Sequence, residues 1–290
     1  MEETIFQIIM DILFDSIIDC LKLLPFLFVT YILMEWLEHK TTKKTQQTIS
    51  KADKFGPIIG GALGMIPQCG FSVSATNLYV GRVISLGTLI AIYLSTSDEM
   101  LPIFLSESIP AITIIKILSI KFLVGMLAGI LIDFVYRKSY KKDEEQISKL
   151  CEEEHCDCKN GIIKSAIKHT FSITSFILIV TIILNAGLEF IGEDNLANIL
   201  LNKKVFGPVI AGIIGLIPNC AASVIIAELY VKQVINVGTM LAGLLVGAGV
   251  GILVLFKLNK NIKENIKVVG LLYTIGVVVG IVFEVIGITL

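Results

Sequence analysis

Five consecutive residues, Ser95-Thr96-Ser97-Asp98-Glu99, set three hydroxyls and two adjacent carboxylates inside an otherwise apolar stretch. A carboxylate held in hydrocarbon costs about 3 kcal/mol on insertion scales, so one is rare there without a partner or a task. Oxygen donors of this kind suit a hard divalent ion such as Mg2+, Ca2+ or Mn2+. The competing reading puts Asp98 and Glu99 at an outer water interface, as anchors. Pro102 follows within one turn and is placed to open the helix there, which would free carbonyls as further ligands.

Two tripeptides add a second donor group. Pro67-Gln68-Cys69 and Pro218-Asn219-Cys220 each interrupt an apolar run with an amide and a thiol, and Ser72 and Ser223 follow each at the same distance. Amides, together with the Thr96, Ser97, Asp98 and Glu99 oxygens, favour a hard cation; Cys69 and Cys220 favour a soft one, arsenite or a heavy metal. Because the charge comes mainly from carboxylates, a divalent cation is preferred over an oxyanion. The plainer alternative makes the prolines shapers of a buried bend and the cysteines small hydrophobes. Asn77 and Glu228 occupy matching places further along, as candidates for a conduction path or as interface residues. A third cluster, Cys151, His155, Cys156 and Cys158 among four acids, reads as a metal-collecting tract or as a solvated linker. Its spacing is tighter than that of a structural zinc site.

The elements that must position these residues are written twice. Residues 55–88 recur as residues 206–239 at an offset of 151 without a gap, and about half the paired positions are identical. Self-similarity of this kind outranks other fold signals. The pairing extends outward, with Gly125 and Gly129 matched by Gly276 and Gly280, and Asp133 by Glu284. The glycine pairs are small-xxx-small spacings, which let helix backbones approach closely. The expected organisation is a first unit at 1–139, a Cys/His/acidic linker at 140–162 and a second unit at 163–290. Asp98 and Glu99 break the symmetry: their partners are Gly249 and Val250. Asp11, Asp15 and Asp19, on one face of the first helix, also lack acidic counterparts.

Composition sets the class. The chain of 290 residues is 54% hydrophobic and only 17% charged, where a soluble domain carries nearer ~25% charge. Several apolar runs approach the ~20 residues needed to span a bilayer. The expectation is an all-α polytopic membrane protein. A net charge of −1 gives no hint of a nucleic-acid partner. Six cysteines, three of them crowded in the linker, do not form the pattern of a disulfide framework. The acidic N-terminus lacks the basic region of a signal peptide, so no cleaved leader is expected. Helices are expected at 8–37, 83–105, 110–136, 168–190, 234–256 and 267–290, with two short arms around each proline tip. Those arms form a re-entrant hairpin or a pair of short tilted spans, and their open backbone needs protein or water around it.

Lys and Arg excess marks cytoplasmic loops. Placing residues 38–54 inside puts Arg82, residues 137–142 and residues 257–267 inside too, and both termini outside the plasma membrane. Each unit then crosses an odd number of times, so the two copies face opposite ways. Inverted repeats with paired Gly/Pro-interrupted segments are the signature of secondary transporters, with the site at the midplane.

The runs GPIIGGALGMIPQCGFSVSATNLYVGRVISLGTL and AIYLSTSDEMLPIFLSE, with GPVIAGIIGLIPNCAAS and LLVGAGVGILVLF from the second half, resemble the ten-helix heavy-metal exporter family, whose members are described as arsenic efflux permeases or manganese transporters. The likeness covers nearly the whole chain, and it implies a metal-efflux role with the metal ion as cargo and no permanently bound cofactor. Membrane lipid and the ion are the expected partners, and a homodimer is left open. No P-loop is present, so the expectation is not an enzyme but a secondary exporter of a divalent metal, manganese first and arsenite or another soft species as the alternative. The rival of another class is a membrane-embedded thiol redox enzyme using Cys69 and Cys220, although the chain has neither a C-x-x-C motif between them nor a cofactor fingerprint.

Overall fold

A computed structural model describes residues 10–32 (apart from Asp11, Asp15, Asp19, Phe26 and Thr30), 55–66, 69–97, 100–136, 162–191 and 206–287. Every element among them is helical. The helical residues described between 10 and 32 form α1. They are followed by α2 (Gly56–Gly64), α3 (Cys69–Val80), α4 (Leu86–Ser95), α5 (Met100–Ser106) and α6 (Ala111–Tyr136). Then come α7 (Ile162–Ile191), α8 (Phe206–Gly215), α9 (Cys220–Val231), α10 (Val237–Val246), α11 (Gly251–Leu258) and α12 (Ile262–Ile286). The elements from α8 to α12 reproduce those from α2 to α6 at the offset of 151, each boundary agreeing to within a residue.

Five stretches among the described residues are long and apolar enough to cross a membrane: Leu86–Ser106, Ala111–Tyr136, Ala166–Ala186, Val237–Leu258 and Ile262–Ile286. The arms α2, α3, α8 and α9 are 9 to 12 residues each. At 1.5 Å per residue that is about 14–18 Å, short of the ~30 Å hydrocarbon core.

The spans expected as continuous at 83–105 and 234–256 are each interrupted. In the first copy Thr96 leaves the helix at φ −54°, ψ 128°, and helix resumes at Met100. Its hydroxyl and that of Ser95 turn back onto the Ile92 and Ala91 carbonyls at 2.8 and 2.7 Å, a local bond that competes with helix continuation. In the second copy Gly247 ends α10 at φ −67°, ψ 86°, and Gly249 adopts φ 54°, a left-handed geometry that glycine takes without a Cβ penalty. Pro102 lies in the opening turn of α5. A helix running on from α4 would need a bond from residue 102 to the carbonyl of residue 98, which proline cannot donate, so its position is compatible with the opening expected from the sequence.

The interrupted helices occupy the middle of the molecule. Every residue of α4 and every residue of α10 is buried. The two pack against each other, with α6 and α12 lying outside them. The outward faces of α6 and α12 expose Leu127, Leu131 and Phe134, and Val278, Val282 and Val285, as lipid-facing helices do. Glycines make this layering close: a Cβ on Gly129 would lie 2.5 Å from the Gly87 carbonyl oxygen, and one on Gly280 would lie 2.6 Å from that of Gly238. The glycine pairs therefore serve packing. The short arms are exchanged between copies, α3 packing on α11 and α9 on α5. A smaller cluster of Leu23, Leu27, Val73, Ile173, Ile177 and Val254 seats α1 and α7 on α3 and α11.

Candidate functional site

Each short-arm tip abuts the helix break of its own copy. Ser97 Oγ donates to the Met65 carbonyl at 2.7 Å, which fixes the end of α2 against the first break. A Cβ on Gly64 would meet Ser95 Oγ at 2.2 Å, so the approach requires glycine. In the second copy a Cβ on Gly215, at the end of α8, would lie 2.3 Å from the Gly243 carbonyl oxygen in the last turn of α10.

Lys121 joins the two breaks. It stands on α6 about 15 Å from Ala111 at 1.5 Å per residue, which is mid-depth for a ~30 Å core. Its side chain is 1% exposed. Nζ donates to the Leu244 carbonyl of α10 at 2.7 Å and closely to the Thr96 carbonyl just past α4. A lysine at the membrane centre costs about 3 kcal/mol on insertion scales. Hydrogen bonds made by a charged donor return roughly 1.5–3 kcal/mol each, so two such bonds offset the penalty. The Leu244 carbonyl lies among the last four of its helix, which have no intrahelical donor, and the helix dipole leaves partial negative charge there.

Polar groups of α3 line the second break. Thr76 Oγ1 is 2.7 Å from the Ser72 carbonyl oxygen and 3.2 Å from the Gly251 carbonyl oxygen; its one proton goes to either, and the Tyr93 hydroxyl 2.5 Å away completes the group. Ser72 is fully buried, and a Cβ on Gly251 would lie 3.1 Å from its Cβ. Asn77 is buried too: its Oδ1 accepts from Tyr31 at 3.4 Å, while its Nδ2 has no partner among the described atoms.

Asn219 caps α9, its Oδ1 accepting from the Ala221 amide at 3.4 Å. Its Nδ2 donates to Asn185 on α7, which in turn donates to Ser16 at 3.0 Å. Cys220 follows, buried, at the first position of that helix. Ser223 is half-buried on the same helix. Glu228 stands apart, paired with Lys232 at 3.0 Å on an exposed turn. Asp98, Glu99, Gln68, the Cys69 side chain and the linker residues Cys151, His155, Cys156 and Cys158 lie outside the described residues. Among the described residues no three His, Cys, Asp or Glu side chains gather to hold a metal.

The structure thus brings Thr96 and Ser97 to the α2 tip and to Lys121, and Ser72 to the second break; it leaves Glu228 outside this group. Sequence reading passed over Lys121, Thr76, Tyr93, Asn185 and Ser16. The comparison between copies held the signal for all five: Lys121 is matched by Leu272, Thr76 by Ala227, Tyr93 by Leu244, Asn185 by Met34 and Ser16 by Ile167.

A duplicated set of helices, with an interrupted buried pair wrapped in long apolar spans, defines an integral membrane protein of the helical, polytopic class. The sequence profile of a family described as "Putative, 10TM heavy-metal exporter" matches residues 7–192, and the chain belongs to that family. No curated protein and no solved structure matches the chain.

Proposed function

We propose that this chain is a secondary transporter that exports a divalent metal cation, manganese first, by alternating access between two inverted copies of one unit. The observation that carries the reading is the meeting of the two helix breaks, joined through Lys121, with the end of α2 held at the first by Ser97. Freed carbonyls and hydroxyls collect there, as they do where discontinuous helices form a transport site. Thr96, Ser97, Gln68 and Asn219, with the carboxylates of Asp98 and Glu99, are the ligands this reading assigns.

Three contacts support inversion. Arg82, just before α4, pairs with Glu264 in the opening turn of α12. Tyr136, at the end of α6, carries Lys267 over its ring at 3.3 Å. Phe104, near the end of α5, meets Tyr230 at the end of α9, ring centroids 5.8 Å apart. If α4–α5, α6 and α12 each cross, the start of the first copy's spans shares a face with the start of the last span of the second. That arrangement needs opposite orientations, and it agrees with Arg82 and residues 257–267 lying together on the cytoplasmic side of the plasma membrane.

Efflux of arsenite or another soft species is the second reading, favoured by the buried Cys220 thiol beside Asn219. Metal flux in proteoliposomes separates the two. Manganese flux that is lost in Asp98→Asn and kept in Cys220→Ser supports the first. Protection of a sensitive host against arsenite alone, without manganese flux, overturns it in favour of the second.

A further inference from the structure

Lys121 is unlike the other polar groups of this site because the duplicated helix does without it. Leu272 stands at its place on α12, equally buried and apolar, so the architecture does not demand an amine at that position. The Lys121 ammonium reaches one carbonyl from each copy: Thr96, where α4 has just ended, and Leu244, in the last turn of α10. Carbonyls at the ends of interrupted helices are the groups that hold monovalent cations in membrane carriers, since a helix C-terminus carries partial negative charge. Lysine delivers the same positive charge on a four-carbon stem. Around that stem the site is built for close fit. Gly125, one turn along α6, would place a Cβ 2.7 Å from the Ala91 carbonyl oxygen, so α6 lies against α4 with no room for more.

We infer that Lys121 is a tethered monovalent cation: its ammonium fills, as part of the chain, a cation position between the two helix breaks to which each break contributes a carbonyl, and removing the side chain leaves a site for a small alkylammonium ion. The functional consequence alone rests on the transport reading: with this position filled from within, no alkali ion is required there to hold the two copies together. The binding claim itself needs no cargo to test.

The test uses the purified full-length protein in detergent, with thermal unfolding followed by circular dichroism. Lys121→Ala removes the three terminal carbons and the ammonium, which propylammonium replaces. Propylammonium chloride is titrated against 1-propanol, which matches the shape without the charge, and against tetramethylammonium chloride, which matches the ionic strength without N–H donors. Lys121→Ala is expected to melt several degrees below the wild type. Propylammonium is expected to recover most of that loss while the two controls recover little, and the wild type is expected not to respond. Equal recovery by propanol, or none by propylammonium, overturns the inference. Should Lys121→Ala yield no folded protein, Lys121→Met decides, because it keeps the stem and drops the charge. Melting at the wild-type temperature overturns the inference, and a loss of several degrees supports it.

Discussion

Arg82 grips both carboxylate oxygens of Glu264, at 2.6 and 3.0 Å, across 182 residues of sequence. The Tyr79 hydroxyl closes on the same carboxylate. The guanidinium also lies 5.6 Å from the Tyr79 ring centroid, and Arg82 holds a positive φ of 56° to reach this position. A forked arginine–carboxylate pair gives direction as well as energy, so it fixes how the first copy meets the second. Both side chains are about four-fifths shielded from solvent, which lifts the pair above the surface median of 0–1 kcal/mol. Arg82→Ala is expected to cost about 1.5–3 kcal/mol, the range for bonds to charged groups. A double-mutant cycle with Glu264→Gln checks it in detergent: the two losses should fall well short of adding. Full additivity would mean that the pair contributes nothing.

The close layering of α4 on α6 and of α10 on α12 predicts a contrast among glycines. Gly129→Ala and Gly280→Ala force a methyl group against backbone at 2.5 and 2.6 Å, where little can yield. Overpacking of this kind costs about 1–3 kcal/mol. Gly270→Ala, with nothing within 4 Å, meets no obstacle and gains the helix preference of alanine, about 0.5–1 kcal/mol. Melting temperatures should therefore fall for the first two variants and hold or rise for the third. A fall in all three would count against close packing as the reason for the glycines.

Asp133 and Glu284, matched by the repeat, each reach across to the start of a neighbouring helix. Asp133 accepts from Ser85 Oγ at 2.7 Å and from the Gly87 amide at 2.8 Å, so it caps the start of α4 from the far end of α6. Glu284 repeats the relation in part, accepting from Asn236 Nδ2 at 2.7 Å beside α10. A carboxylate at a helix N-terminus satisfies open amides and meets the positive end of the dipole. Asp133→Ala is expected to cost about 0.5–2 kcal/mol, with Asp133→Asn in between because it keeps one acceptor and loses the charge. Urea unfolding of the solubilised protein gives the order. Asp133→Asn as damaging as Asp133→Ala would mean the charge alone matters.

Periodicity and duplication made much of this fold readable before any coordinates. The 151-residue offset, the short arms about the proline tips and the glycine packing pairs all follow from residue spacing. The broken middle helices were legible only in part. In the first copy the polar run Ser95–Glu99 and Pro102 mark the place, yet the apolar residues on either side still add up to one span. In the second copy the cue is the run Gly247-Ala248-Gly249-Val250-Gly251, which reads as ordinary membrane-helix composition until Gly249 is seen in the left-handed region. Lys121 was hidden for another reason. A single lysine in a long apolar run gives no hint of which carbonyls it meets, and Leu244 lies 123 residues away. The grouping of Thr96 and Ser97 with the α2 tip was likewise a tertiary matter, since Ser97 and Met65 are 32 residues apart.

The division between the central group and Glu228 yields the last contrast. Ser97 Oγ holds the Met65 carbonyl at the first break, so Ser97→Ala releases the α2 tip from the interrupted helix and leaves a part-buried acceptor without its donor. An unsatisfied buried group costs about 1–3 kcal/mol. The geometry at the proposed ligands depends on that contact, so metal flux in proteoliposomes is expected to fall at least several-fold, with Ser97→Thr, which keeps the hydroxyl, retaining more. Glu228 instead makes an exposed i, i+4 pair with Lys232, of a kind worth about 0.3–0.5 kcal/mol. Glu228→Gln should leave both stability and flux close to wild type. If Glu228→Gln abolished flux while Ser97→Ala spared it, the ion would have to pass along the outer turn of α9 rather than between the two helix breaks, and the central site would lose its claim.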